Sequence, residues 1–176
     1  MPFTPFHMGP GLAAKAIAGR HFSLMVFGFS QAGMDIEPLV RMIRGDAVLH
    51  GFTHTYLGAT LIALASAVVG RSVCQYLLSY WPSDSRLPFF NWLRGTGLIS
   101  WPVAIMSAFI GAYSHVFLDS LMHADMQPFA PLSEANGLLY MIPIESLHLL
   151  CVLAGVLGAL LMLAVFFVRR NARIYR

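Results

Sequence analysis

The chain has 176 residues, 57% of them hydrophobic and only 11% charged, with a formal net charge of +3. Soluble domains carry about a quarter charged residues, so this composition excludes a bundle dressed for water, and the length leaves no room for a second, soluble domain. The positive charge does not read as a nucleic-acid surface. Arg169, Arg170, Arg173 and Arg176 sit together directly after an apolar run, as a membrane flank does.

The stretch from Met1 to Gly11 holds Pro2, Pro5, His7 and Pro10 and lacks the basic start and small-residue cleavage site of a signal peptide. Leu12 to Ala18 is helical in composition, Gly19-Arg20-His21 reads as a turn, and Phe22 to Phe29 is apolar again. Each arm is too short to cross a bilayer. The pattern predicts a helical hairpin over residues 8–34, re-entrant or packed on the bundle, in preference to one tilted span from Leu12 to Met34. Asp35, just before Pro38, then falls at a helix end or turn. Three later segments are long enough to span, since crossing takes about 20 apolar residues. They run from Tyr56 to Tyr80, from Leu98 to Leu121 and from Ser146 to Val168. The fold class is therefore all-α, a polytopic membrane bundle forming one domain over residues 1–176. Cys74 and Cys151 each lie in an apolar stretch, with no disulfide framework and no CxxC site.

Basic residues set the orientation. Arg71, Arg86 and Arg94 against Asp84, with Trp81, Phe89, Phe90 and Trp92, lie between the first two spans, and four arginines follow the third. Two spans separate these regions, so both belong to one side, the cytoplasm by the positive-inside rule. Asp35 to Thr53 and Asp119 to Glu145 then face the other side, the periplasm in a bacterium.

The chemistry gathers on that second side. His115, Asp119 and His123 recur every four residues, which puts them on one face of a helix. Gly111, one turn earlier, allows a neighbouring helix close. Ionisable groups in a membrane helix face the bundle interior or a cavity, and imidazole with carboxylate suits zinc or a similar divalent ion. His50 and His54 repeat the spacing at the start of the first span, with Gly58 one turn on. Antiparallel spans bring these two histidine groups to one membrane face, and the hairpin adds His7 and Asp35 at the same level. Glu145 and His148 open the last span on this face too. His21 sits at the hairpin bend, away from the cluster.

These motifs resemble those of the membrane-bound, metal-dependent hydrolases described as LexA-binding and inner-membrane-associated. The resemblance rests on a start like Met1-Pro2-Phe3-Thr4-Pro5-Phe6-His7, on Asp35-Ile36-Glu37-Pro38, on His50…His54-Thr55 and on His115…Asp119-Ser120. The family form of the second motif has a proline where Met34 stands. More remotely, the pattern is similar to zinc-dependent phospholipase C and single-strand nucleases, whose His-x-x-x-Asp pair corresponds to His115 and Asp119. Their final His-x-x-x-Glu pair has no counterpart here.

The resemblance implies a membrane-embedded hydrolase that uses one or two divalent ions, zinc first, to activate water against an ester, and with two ions a phosphoester. The expected metal ligands are His50, His115, Asp119 and Asp35, then His7, His54 and His123. Asp125 and Glu37 are the expected catalytic carboxylates, orienting ligands or accepting a proton. The expected partner is a membrane lipid or another phosphoester, with no nucleic acid, and the chain could form a homo-oligomer. The alternative is a membrane protein that handles metal ions or protons without hydrolysis.

Overall fold

The computed structural model describes residues 5–81, 86, 88–94 and 97–174. The opening motif from Met1 to Thr4, Asp84 and Arg176 lie outside them. Every regular element among the described residues is helical: α1 (Met8–Ala18), α2 (Leu24–Arg44), α3 (Tyr56–Ser79), α4 (Pro88–Arg94), α5 (Trp101–Met122) and α6 (Ile144–Ile174). Three of these, α3, α5 and the Ile144–Arg170 part of α6, are long and apolar enough to cross a bilayer.

α1 and α2 form the expected hairpin. Gly19 breaks the chain with a φ of 55°, in the left-handed region that favours glycine. Lys15 fastens the turn, its Nζ donating to the Gly19 and Phe22 carbonyls at 2.9 and 2.7 Å. Ser23 starts the second arm by accepting from the Val26 amide at 3.3 Å. The 11 residues of α1 rise only about 17 Å, well short of the roughly 30 Å of hydrocarbon.

The second arm corrects the expected boundary. α2 does not stop at Met34 but runs 21 residues through Pro38 to Arg44, where Gly45 closes it with a φ of 76°. Asp35 is therefore mid-helix. A proline removes one bond of the helical ladder, and two acids beside it read locally as a stop. The helix persists because Asp35 and Glu37 both find partners on other segments, so tertiary contact overrides propensity.

The bundle closes on small side chains. Ala59, Ala63 and Ala67 of α3 share one buried core with Ala104, Ala108 and Ala112 of α5, each set repeating every four residues. Small residues let membrane helices approach closely enough for dispersion to hold them. α2 lies on the same helix, α5, through Gly111. A Cβ there would collide with Ser30 Oγ and meet the Phe27 carbonyl, so no larger residue fits without moving α2. α1 packs on α6, where Gly9 abuts the Cys151 carbonyl and Gly158 abuts Leu12 and Ala13. This seam sets His7, two residues before Gly9, against the C-terminal end of α5. Cys74 and Cys151 are both buried and unpaired.

At the other end of the bundle, Arg71 donates from Nε to the Ile99 carbonyl at 2.8 Å, and its guanidinium lies 4.4 Å from the Trp101 ring centroid. Phe89 and Trp92 of α4 pack on Phe166 of α6. Outside, Leu57, Leu61, Leu64 and Val68 form an exposed stripe down α3. Apolar patches of this extent are unfavourable in water and costless in lipid.

Candidate metal centre

The end of the bundle where α5 finishes collects five of the seven histidines around one carboxylate. α5 supplies His115 and Asp119 on one face, as the four-residue spacing predicts, with Nε2 and Oδ2 3.1 Å apart. Asp119 Oδ2 also faces His54 Nε2 at 3.4 Å and His50 Nε2 at 4.0 Å. Its Oδ1 faces His7 Nε2 at 3.3 Å and His123 Nε2 at 3.9 Å. Asp35 approaches from α2, with Oδ1 3.4 Å from His115 Nε2. Every expected ligand is thus brought to one place, though not always by the expected means. His50 and His54 do not share a helical face. His50 is in a loop and His54 ends a 3-10 turn, Phe52–His54, because Thr55 caps α3 by accepting from the Gly58 amide at 2.9 Å and so starts the helix only at Tyr56. His123 follows the last residue of α5 with extended backbone.

Ring nitrogens are assigned by their partners. His115 Nδ1 lies 2.5 Å from Gln31 Oε1. The Gln31 amide cannot be turned round, because its Nε2 donates to the Gly111 carbonyl at 3.1 Å and to Ser114 Oγ at 3.3 Å. His115 Nδ1 therefore carries the proton. His50 Nδ1 lies 2.8 Å from Asp125 Oδ1, a carboxylate that can only accept. The Thr53 hydroxyl donates to Glu37 Oε2 at 2.5 Å, so its oxygen accepts from His54 Nδ1 at 3.1 Å. All three rings are left with a bare Nε2 directed at Asp119.

That arrangement tests the fit of a cation. Nε2 of His7, His54 and His115 is buried with no hydrogen-bond partner, and a lone pair facing a carboxylate oxygen is repulsive. Protonating the rings would crowd positive charge, since the His115 centroid is 4.7 Å from that of His7 and 5.2 Å from that of His54. Each buried ion without full compensation costs several kcal/mol. A divalent cation satisfies the nitrogens and the carboxylate together, and imidazole with carboxylate is a donor set it accepts. Among the described residues, four groups of three such residues have their ligand atoms within 4.8 Å of one another, and His50, His54, His115 and Asp119 each belong to two of them.

Outside the spans, burial and hydrogen bonds shift His7, His54, His123, Asp125 and Glu37 toward the protonation states this requires. Burial pulls His7 down to about 4, against the pull of Asp119, and lowers His54 and His123 as well. Burial pushes Asp125 up, but hydrogen bonds from the His50 amide and ring and the Leu49 amide outweigh it and hold the carboxyl at about 2. Burial likewise opposes Glu37, which bonds to Thr53 and Arg41 keep below the usual range.

Asp125 yields a pH test with a definite sign. Its folded pKa is lower than the roughly 3.9 of a free aspartate, so its contribution to stability is complete above that value and disappears as pH falls through about 2. In thermal melts of metal-free protein, the parent should exceed Asp125→Asn at neutral pH, and the gap should close across that acid window.

The sequence reading passed over two residues, Gln31 and Thr53. Gln31 had a legible signal. It is an amide in an otherwise apolar arm, four residues before Asp35 and so on the same helical face. Thr53 had none. Glu145 is exposed, and His148 stacks on Phe6 at 4.5 Å; neither joins the cluster. His21 is exposed at the hairpin turn, as expected.

The model of the YdjM inner membrane protein family matches residues 15–174. The chain belongs to that family. No curated protein and no solved structure matches it. The YdjM match takes in six of the seven gathered residues, Asp35, His50, His54, His115, Asp119 and His123, while His7 precedes it. Membership places the protein in the inner membrane, in keeping with the three apolar spans.

Proposed function

We propose that this protein is a membrane-embedded, metal-dependent hydrolase, and that its substrate is a phosphoester, lipid-like or close to the membrane. One observation carries the reading: three imidazoles with bare Nε2 atoms, those of His50, His54 and His115, face one buried carboxylate, Asp119. His7, His50, His54, His115, His123, Asp35 and Asp119 would hold one or two divalent ions, zinc first. Such an ion lowers the pKa of water toward neutrality and acts as a Lewis acid on a phosphoryl oxygen.

The chain's own residues would do the rest. Gln31, Asp125 and the Glu37–Thr53 pair fix the tautomers of His115, His50 and His54. Outer partners of this kind orient ligands and raise their basicity. Asp125 and Glu37 would act through those histidines, since the Asp125 carboxyl is held at about 2 and bonds to Thr53 and Arg41 hold that of Glu37 below its usual range, which makes both weak bases at neutral pH. Burial among α1, α2 and α5 keeps bulk water from the inner side of the cluster.

The orientation belongs to the same reading: the arginines after α6 in the cytoplasm, the cluster toward the periplasm. A reporter fused after Arg176 should behave as cytoplasmic.

Metal analysis of purified protein, with a phosphodiester screen on metal-loaded and metal-stripped samples, tests the function. Stoichiometric metal and metal-dependent cleavage are expected. Protein that stays metal-free after reconstitution would overturn the reading, whereas metal without cleavage would turn it toward metal or proton handling.

A further inference from the structure

Beside the cluster lies a cavity of about 750 Å³, within the range of small-molecule sites, about 300–1,000 Å³. It opens between the loop before α3 and the loop after α5. His50, Asp125 and Glu134 are among its polar lining, and Val48, Phe52, Leu57 and Leu139 contribute apolar wall. His50 belongs to both cavity and cluster, its Nε2 being 4.0 Å from Asp119 Oδ2.

Two features distinguish this cavity from a pocket for a water-soluble anion. First, among the described residues no lysine or arginine lines it, and Arg41, whose Nη1 reaches the Val48 carbonyl from behind, is already paired with Glu37, so charge alone does not hold a small anion there. Second, its apolar wall does not end at the water. Leu57 is the first residue of the exposed stripe Leu57, Leu61, Leu64 and Val68, whose members are each about half exposed. The stripe is the outward face of a bilayer-length helix. The cavity therefore shares Leu57 with the face of α3 that a bilayer would cover.

We propose that this cavity is a lateral port for a bilayer amphiphile. A hydrocarbon chain enters over Leu57 and lies between Phe52 and Leu139, and a phosphate-bearing head is delivered to the His50 end. The rest of the chain stays in the bilayer along Leu61 and Leu64. The delivery of the head rests on the metal-hydrolase reading; the chain site does not.

The test uses the full-length protein in lipid nanodiscs containing a phospholipid with a photoreactive diazirine high on its acyl chain, with labelled residues mapped by mass spectrometry. Phe52 and Leu139 should be labelled along with the α3 stripe. Leu139→Trp, which fills the cavity, should cut labelling at Phe52 by about tenfold, the loss that 1.4 kcal/mol of binding produces. Labelling at Leu61 and Leu64 should not change. Val48→Trp fills the same cavity from the opposite loop and serves if the first variant does not fold. Phe52 labelling that is absent, or that ignores both fillings, would overturn the port. Metal content measured on the same samples keeps the two readings apart. Metal-free protein with port labelling sinks the hydrolase and supports the chain site, and metal-loaded protein without it sinks the port alone.

Discussion

Asp119→Ala should leave the protein unable to hold metal. Asp119 is the carboxylate that all five gathered histidines face, at 3.1 to 4.0 Å, and it is almost wholly buried. Asp35 is the nearest substitute, yet among the described residues it pairs within 4.0 Å only with His115 and groups otherwise only with His54, whereas Asp119 faces all five histidines. Without Asp119, a divalent ion would sit among neutral imidazoles with its charge poorly compensated in a dry site. Losing an outer partner of a ligand already costs about 10–100-fold in affinity, so losing this carboxylate should cost more than about 100-fold. Metal per protein, measured after dialysis against fixed free metal, reads this directly. Asp119→Asn keeps the volume and removes the charge, and it should lose metal too. Stability supplies a second reading. Added metal should raise the melting temperature of the parent by mass action and leave both variants unmoved. A variant that binds metal as the parent does would mean the ion sits elsewhere.

The second large effect is expected at Gln31, which touches no proposed substrate and is not itself a ligand. Gln31→Leu takes the acceptor from His115 Nδ1 and strands a buried donor, a loss of about 1–3 kcal/mol. It also frees the ring to place its proton on Nε2, where the metal should be. Affinity should fall by about 10–100-fold, as for other outer partners. Gln31→Glu keeps an acceptor for His115 but loses the donor to the Gly111 carbonyl, so it should retain more affinity than the leucine variant while losing stability. Ser30→Ala separates this from mere packing. Ser30 is buried at the same α2–α5 contact, but its hydroxyl donates to the Phe27 carbonyl of its own helix and to no histidine. It should lower stability and leave metal affinity unchanged. Titration with metal alongside thermal melts of the metal-free proteins distinguishes these cases.

Much of the fold was legible because hydropathy is a sum over neighbours in the chain. Three apolar runs announced three spans, and a glycine with flanking charges announced the hairpin turn. The pairing of His115 with Asp119 was legible because a four-residue step on a helix is a fixed geometry. Where backbone conformation depended on distant partners, local reading failed. It ended α2 at Met34, since Asp35, Glu37 and Pro38 discourage helix until His115 and Thr53 are beside them. It put His50 and His54 on a helix that starts only at Tyr56.

By itself, then, the sequence determined a helical bundle for lipid and the membrane face on which its histidines and acids gather. Successive spans that alternate in direction admit no other placement of those ends. Only the tertiary structure decided which nitrogen of each ring is bare. That choice belongs to partners far along the chain: Gln31 is 84 residues from His115, and Asp125 is 75 from His50. Gathering at one face is a consequence of topology. Convergence of lone pairs on one carboxylate requires packing, here the glycine contacts that let α1 and α2 approach α6 and α5.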